Sequence, residues 1–212
     1  MLYRLGLPIF QAKGPCVACR APSDIYCDHA ISCGSRGERI SQHNHLHDAL
    51  YHAAVTASLG PSREDRALLP GRENKPADVF IPLWAPGGRD LALDVTVASP
   101  FQQQALERGA KEPGYALKMR FQQKQAKYGQ DCAAEGIFFL SVVFETTGAV
   151  EEEGGLLIKR LAKAMAKNTN QEDSEATRHL FGKLSILLAK DNASLVLNRV
   201  PTFPDPGIDG QL

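Results

Sequence analysis

The apolar positions change period along the chain, and the changes mark the elements. From Ser41 onward, Leu46, Ala49, Leu50, Ala53 and Leu59 recur at helical spacing on one face, with Ser41 as an N-cap. Residues 60–76 are polar and rich in Pro, Gly and Arg, and read as a connection. The period then drops to two. Asp78–Trp84 and Leu91–Val97 read as strands joined by the turn Ala85–Asp90, a hairpin. In the second strand Leu91, Leu93, Val95 and Val97 point one way and Ala92, Asp94 and Thr96 the other. A second helix covers residues 115–129 and stops at Gly129. Gly136–Glu145 is the strongest buried-strand signal in the chain. Amphipathic helices follow at about Gly155–Lys167 and Ser174–Lys190. The order helix, strand, strand, helix, strand, helix predicts an α/β fold with a mixed central sheet flanked by helices. There is no internal repeat. The expected division is a loop-rich segment at 1–36, one domain at 37–200 and an unstructured tail at 201–212.

With 212 residues, 43% of them hydrophobic, the chain can bury one sizeable core and carry a small appendage. Its 24 basic and 24 acidic side chains cancel, which excludes attachment to nucleic acid by bulk charge; such contact requires a local basic patch. No run of about 18 apolar residues exists to span a membrane. The N-terminus is too short and too broken by Gly and Pro for a secretion signal. The expected setting is intracellular, nuclear in a eukaryote.

Four of the five cysteines fall between residues 16 and 33, which favours a metal site in a reducing compartment over a disulfide framework. Cys16-x2-Cys19-x9-His29-x3-Cys33 supplies three thiolates and an imidazole, a closed tetrahedral shell for a structural Zn²⁺. Cys27 competes with His29, since four thiolates would serve as well.

Asp78 opens one strand of the hairpin and Asp94 sits in the middle of the other. Two such carboxylates projecting from one sheet face can share a divalent ion, the requirement for activating water against a phosphodiester. A carboxylate amid Leu91, Leu93, Val95 and Val97 needs a metal or a cationic partner. The lysine that commonly lies two residues after the second acid is missing; Thr96 stands there. Lys124, Lys127 and Tyr128 share one face of the second helix, which could return an ammonium group to that place, Lys124 ahead of Lys127. A working arrangement places the Lys124 ammonium roughly 4–7 Å from both carboxylates, leaving room for a water or phosphate oxygen. Each residue also has an ordinary reading: Asp78 as a turn cap, Asp94 paired with Arg89 or Arg72, the lysines as a solvated helix face.

Taken in order, Lys75-Pro-Ala-Asp78, Leu93-Asp94-Val-Thr-Val97 and Lys124-x-x-Lys127-Tyr128 resemble the restriction-like PD-(D/E)XK endonuclease domain of site-specific non-LTR retrotransposons. That family carries a Cys-Cys-His-Cys knuckle upstream, which Cys16, Cys19, His29 and Cys33 resemble, so the resemblance prefers His29 to Cys27. Ser41-Gln-His43-Asn44 matches an Arg-His-Asn/Asp element, with Gln42 in the arginine's place, and implies a nucleic-acid contact for His43. The resemblance spans roughly residues 15–145. It implies a PD-(D/E)XK core with a mixed sheet and a small N-terminal zinc knuckle. Mg²⁺ (or Mn²⁺) would be held by Asp78 and Asp94, and Tyr128 would pack or contact phosphate. The implied activity is nicking of DNA one strand at a time. The implied partners are DNA, RNA at the knuckle, and a reverse transcriptase in a longer parent polyprotein. The chain departs from the pattern at Ala77, at the fifteen residues between the two acids, and at a segment of about twenty residues before the lysine helix.

Other groups carry weaker signals. His43 and His47 are spaced i, i+4 but no protease-type Glu follows. Glu145 reads as a turn residue, and Glu151–Glu153 as an acidic lead-in to a helix. Lys159, Arg160, Lys163 and Lys167, with Arg178, Lys183 and Lys190, form a basic strip, a DNA-backbone contact or an ordinary surface. The alternatives to a nuclease are an inactive nucleic-acid-binding module and a zinc-stapled protein-interaction domain.

Overall fold

The computed structural model describes residues 2–63, 68–69 and 76–200. Lys75, Arg72 and the expected tail at 201–212 therefore lie outside the described residues.

The N-terminal segment pairs two short strands, β1 (Gly14–Pro15) and β2 (Pro22–Ser23), before a one-turn helix α1 (Asp28–Ser32). Helix α2 (Glu38–Thr56) begins earlier than Ser41 because Gly37, at φ +80°, turns the chain straight into it. Strands β3 (Ser62–Arg63), β4 (Val79–Ile81) and β5 (Leu91–Ala98) follow in antiparallel order. Helix α3 (Gln103–Gly109) occupies the segment that looked like an insertion, and α4 (Tyr115–Ala134) leads to β6 (Phe138–Glu145), which pairs with β5 in parallel. Helices α5 (Glu152–Thr169) and α6 (Asp173–Leu197) close the fold. The sheet is thus mixed, ordered β3-β4-β5-β6, with helices on both faces.

The alternation along β5 builds two cores. Leu91, Leu93 and Val95 join Val79, Ile81, Leu140, Val142 and Phe144 beneath α2, α5 and α6. Burying each large aliphatic side chain there contributes about 1.5–3 kcal/mol. On the other face Ala92 and Phe139 pack with Tyr128 and Cys132 of α4. That packing explains why α4 passes through Gly129 instead of ending there. Tyr128 and Cys132 are buried one turn apart on either side of the glycine, and their burial outweighs the roughly 1 kcal/mol a helical glycine costs. The helix ends at Gly136 (φ +74°), where the Ile137 N–H bonds back to the Cys132 carbonyl at 2.9 Å. Helix α6 likewise outruns its expected end, because Leu188, Asn192 and Leu195 extend its buried stripe.

Where α5 starts, Glu151 caps the helix by accepting the Gly154 N–H at 3.1 Å. Gly154 is there for clearance: a Cβ would stand 3.2 Å from the Val142 Cα in the middle of β6. Gly154→Ala is therefore expected to destabilise the fold by about 1–3 kcal/mol in urea unfolding. Gly155→Ala, whose Cβ would meet nothing within 4 Å, should be neutral or stabilising by up to about 1 kcal/mol. Equal effects of the two would refute this packing.

Candidate functional site

Strand β6 pairs with the whole of β5, but β4 covers β5 only from Leu91 to Leu93. From Asp94 onward the β4 side of β5 has no strand partner among the described residues. Helix α2 reaches this open edge from one face of the sheet and α4 from the other.

Asp94 points toward α4 and is only 6% exposed. Its Oδ1 accepts from the Lys124 ammonium at 2.6 Å; its Oδ2 accepts from the hydroxyls of Ser141, at 2.7 Å, and Thr96, at 3.1 Å. The parallel register sets Ser141 directly beside Asp94. Lys124 thus comes off its helix to the carboxylate whose strand carries Thr96 in the lysine position. It stands in direct contact with Asp94, closer than the spacing expected for an intervening water, because a buried carboxylate draws in the nearest ammonium on a long lysine stem. Lys124, and not Arg89, is the one cation paired with Asp94 among the described residues. Lys127 is exposed and lies over the Tyr128 ring, 4.7 Å from its centroid, and Tyr128 packs against Phe139.

Asp78 lies just before β4, and its carboxylate takes the place a longer β4 would occupy: Oδ2 accepts the Val95 N–H at 2.6 Å. It therefore sits at the strand edge, against the residue that follows Asp94. Oδ1 lies 3.3 Å from His43 Nε2, and the Asp78 carbonyl is 3.0 Å from His47 Nε2. Burial alone would raise the Asp78 carboxyl, but the His43 hydrogen bond and charge, with the Val95 N–H, hold it below its ordinary range. His43 is displaced upward: the hydrogen bond to Asp78 raises it against the opposing effect of burial, and the charges of Asp78 and Asp94 add to the rise.

In the N-terminal segment the ligand atoms of Cys16, Cys19, His29 and Cys33 lie within 4.8 Å of one another, so this group could hold a zinc ion. It is the one group of three or more such side chains this close among the described residues. His29 turns Nε2 toward Cys19 Sγ at 3.2 Å. Cys27 is not part of the group. Its side chain is buried with Phe10 and Ala30, where burial, aided by the charges of Asp24 and Asp28, pushes its thiol up to about 12. Burial also opposes a thiolate at Cys33, but hydrogen bonds from Arg199 and Ser35 outweigh it and bring that thiol down to about 6.

Several residues here were not singled out from sequence. Ser141 was visible as the lone polar residue in the apolar run of β6. Asp24 organises the ligand loop, accepting the N–H groups of Tyr26, Asp28 and His29; an Asp opening a turn is its signal. Arg199, fully buried, donates to the carbonyls of Leu195, Cys33 and Ser35 and to Glu38, fastening the knuckle to α2 and α6. Nothing in the sequence marks it. The basic strip on α5 lies on the helix covering the opposite face; there Arg160 stacks on Trp84 and donates to its carbonyl. Glu145 accepts from the Thr147 hydroxyl in a turn, as its ordinary reading had it.

Comparison with known protein families and with curated proteins finds no match for this chain.

The His43–Asp78 pair has a definite pH signature. The raised imidazole stabilises the fold fully below the ordinary histidine value of 6.5, and that contribution is lost as pH rises through its higher folded value. The lowered Asp78 carboxyl stabilises above its ordinary value of 3.8, a contribution lost as pH falls through its folded value. In metal-free protein, NMR should show His43 titrating above 6.5, and Asp78→Asn should bring that midpoint down. An unchanged midpoint would show that Asp78 is not its cause.

Proposed function

We propose that this protein is a divalent-metal-dependent DNA endonuclease with a PD-(D/E)XK-type site, hydrolysing one phosphodiester strand at a time. The observation that carries the reading is the contact between Lys124 and Asp94. An ammonium from α4 reaches the acid of β5 whose own strand offers only Thr96.

Asp78 and Asp94 would hold a metal that keeps most of its water. Asp94 Oδ2 already accepts two hydrogen bonds, but Oδ1 of Asp94 and Oδ1 of Asp78 each have one partner and one lone pair left. Two carboxylate oxygens with waters and a phosphate oxygen make up the shell that suits Mg²⁺ or Mn²⁺. Such an ion would supply an activated water and offset charge on the phosphorane. Lys124 spends one of its three N–H donors on Asp94 and offers the others to the attacking water or a phosphate oxygen. His43, whose imidazole Asp78 shifts toward its charged form, would contact a phosphate on the α2 side. Zn²⁺ at Cys16, Cys19, His29 and Cys33 has a structural part in this reading: four protein ligands leave no open position. The order of motifs supports an origin in a retroelement polyprotein with a reverse transcriptase, acting in the nucleus of a eukaryotic host, with RNA as a second ligand for the knuckle.

A non-catalytic nucleic-acid-binding module is the second reading. The engagement of Asp94 by three of the protein's own donors favours it.

A plasmid-nicking assay with Mg²⁺ separates the two. Asp94→Asn and Lys124→Ala are expected to lower nicking by about 10²–10⁴-fold while DNA binding persists. Nicking by Asp94→Asn at the parent rate would eliminate the site. For the knuckle, metal analysis of the purified protein should find zinc retained in Cys27→Ser and lost in Cys33→Ser or His29→Ala. Loss in Cys27→Ser with retention in His29→Ala would assign the all-thiolate set instead.

A further inference from the structure

A cleft of about 210 Å³ opens further along β5 from Asp94, between α2 and α4. Its floor is Val97–Ser99 of β5, its walls are Arg39 of α2 and Arg120 with Gln123 of α4, and Gln102 closes one end. Each arginine stands one helical turn before a site residue on its own helix: Arg39 before His43, and Arg120 before Lys124. The two helices therefore present Arg39 and His43 on one side of the unpaired edge of β5, and Arg120 and Lys124 on the other.

No carboxylate pairs with either arginine within 4.0 Å among the described residues. Arg39 spends one N–H on the Ser32 carbonyl at 3.3 Å, and Arg120 one on the Gln123 amide oxygen at 3.3 Å. The guanidinium groups are close enough that Arg120, after burial itself, lowers the pKa of Arg39, with Cys33 the one opposing charge. Two cations kept together, Arg39 half-buried and Arg120 exposed, without an acid between them, are complementary to an anion that bridges them. In a chain with zero net charge, this is local positive charge adjoining the acids.

We propose that Arg39 and Arg120 clamp a backbone phosphate of the nucleic-acid strand whose scissile bond lies at Asp94 and Lys124. The ligand follows from the nuclease reading, on which this proposal rests. The cleft lies three to five residues along β5 from Asp94, roughly 10–16 Å at the rise of a strand. Arg39 and Arg120 carry no sequence readout; they set the register of the strand.

The test is binding of a fluorescein-labelled DNA duplex to the full chain by anisotropy, without added divalent metal, across a salt series. Arg120→Gln should weaken binding about threefold to tenfold and flatten the slope of log K against log salt by about one phosphate contact; the double Arg39→Gln/Arg120→Gln variant should flatten it by about two. Arg178→Gln and Lys159→Gln, on exposed faces of α6 and α5, should leave the slope unchanged. Arg120 is exposed on α4, so its variant keeps the proposal testable should Arg39 variants fold poorly, and Arg39→Lys should retain the slope. An unaltered slope in Arg120→Gln, or an equal loss in Lys159→Gln, would overturn the clamp. So would ³¹P line-broadening of inorganic phosphate that depends on Arg120 while duplex binding does not, which assigns a free-phosphate site. No cleavage enters this measurement. An inactive protein that loses a phosphate contact with Arg120 keeps the clamp and discards the nuclease; a nicking protein with an unaltered slope does the reverse.

Discussion

A carboxylate inside a strand covered on both faces sets the terms for its surroundings. Asp94 is 6% exposed, between aliphatic layers, and an ion left there alone would cost several kcal/mol. Three donors from three places meet it: Lys124 from α4, Ser141 from β6 and Thr96 from its own strand. Each contact fixes a larger feature. The Ser141 bond needs β5 and β6 in parallel at their observed register, since a slip by one residue would turn Ser141 to the other face. The Lys124 bond fixes the rotation of α4 about its axis, which in turn settles that Tyr128 and Cys132 face the sheet. Polar satisfaction and apolar packing thus specify the same placement of the helix.

The second constraint is the shortness of β4. A longer strand would pair with β5 past Leu93, fill the edge with backbone and leave no site. Asp78 ends that pairing by offering a carboxylate to the Val95 N–H, so the ladder is satisfied by a side chain. The same carboxylate faces α2, where His43 and His47 hold its side chain and its carbonyl. Local termination of a sheet and assembly of a charged site are here one event.

This division explains what could be read from the sequence. Period-two alternation in Leu91–Val97 gave both cores, because β5 is covered by a different set of helices on each face. The i, i+4 spacing of Lys124 and Tyr128 put an ammonium and a buried ring on adjoining parts of α4, and Lys124 rather than Lys127 is the one that meets Asp94. Local signals failed where long-range packing decided. Gly129 stands within a helix because its neighbours Tyr128 and Cys132 are buried, and Ser41 caps nothing because Gly37 starts the helix sooner. Arg39, Arg120 and Arg199 were invisible for the same reason. An arginine on a helix looks like surface until the sheet edge or knuckle it meets is in place.

The N-terminal knuckle has a part in this geometry as well. Ser32, one residue before the candidate ligand Cys33, offers its carbonyl to Arg39 and its hydroxyl to Ser99, both at 3.3 Å. Arg199 draws the Cys33 and Ser35 carbonyls onto Glu38 at the first turn of α2. These bonds bind the ligand loop to the wall and floor of the cleft beside the acids. The segment has only the small cluster of Phe10, Cys27 and Ala30 for a core, and a metal ion held by its three thiols and imidazole could add a closure from within. The N-terminal segment is thereby fastened to α2 through Arg39 and Arg199 rather than tethered loosely in front of it.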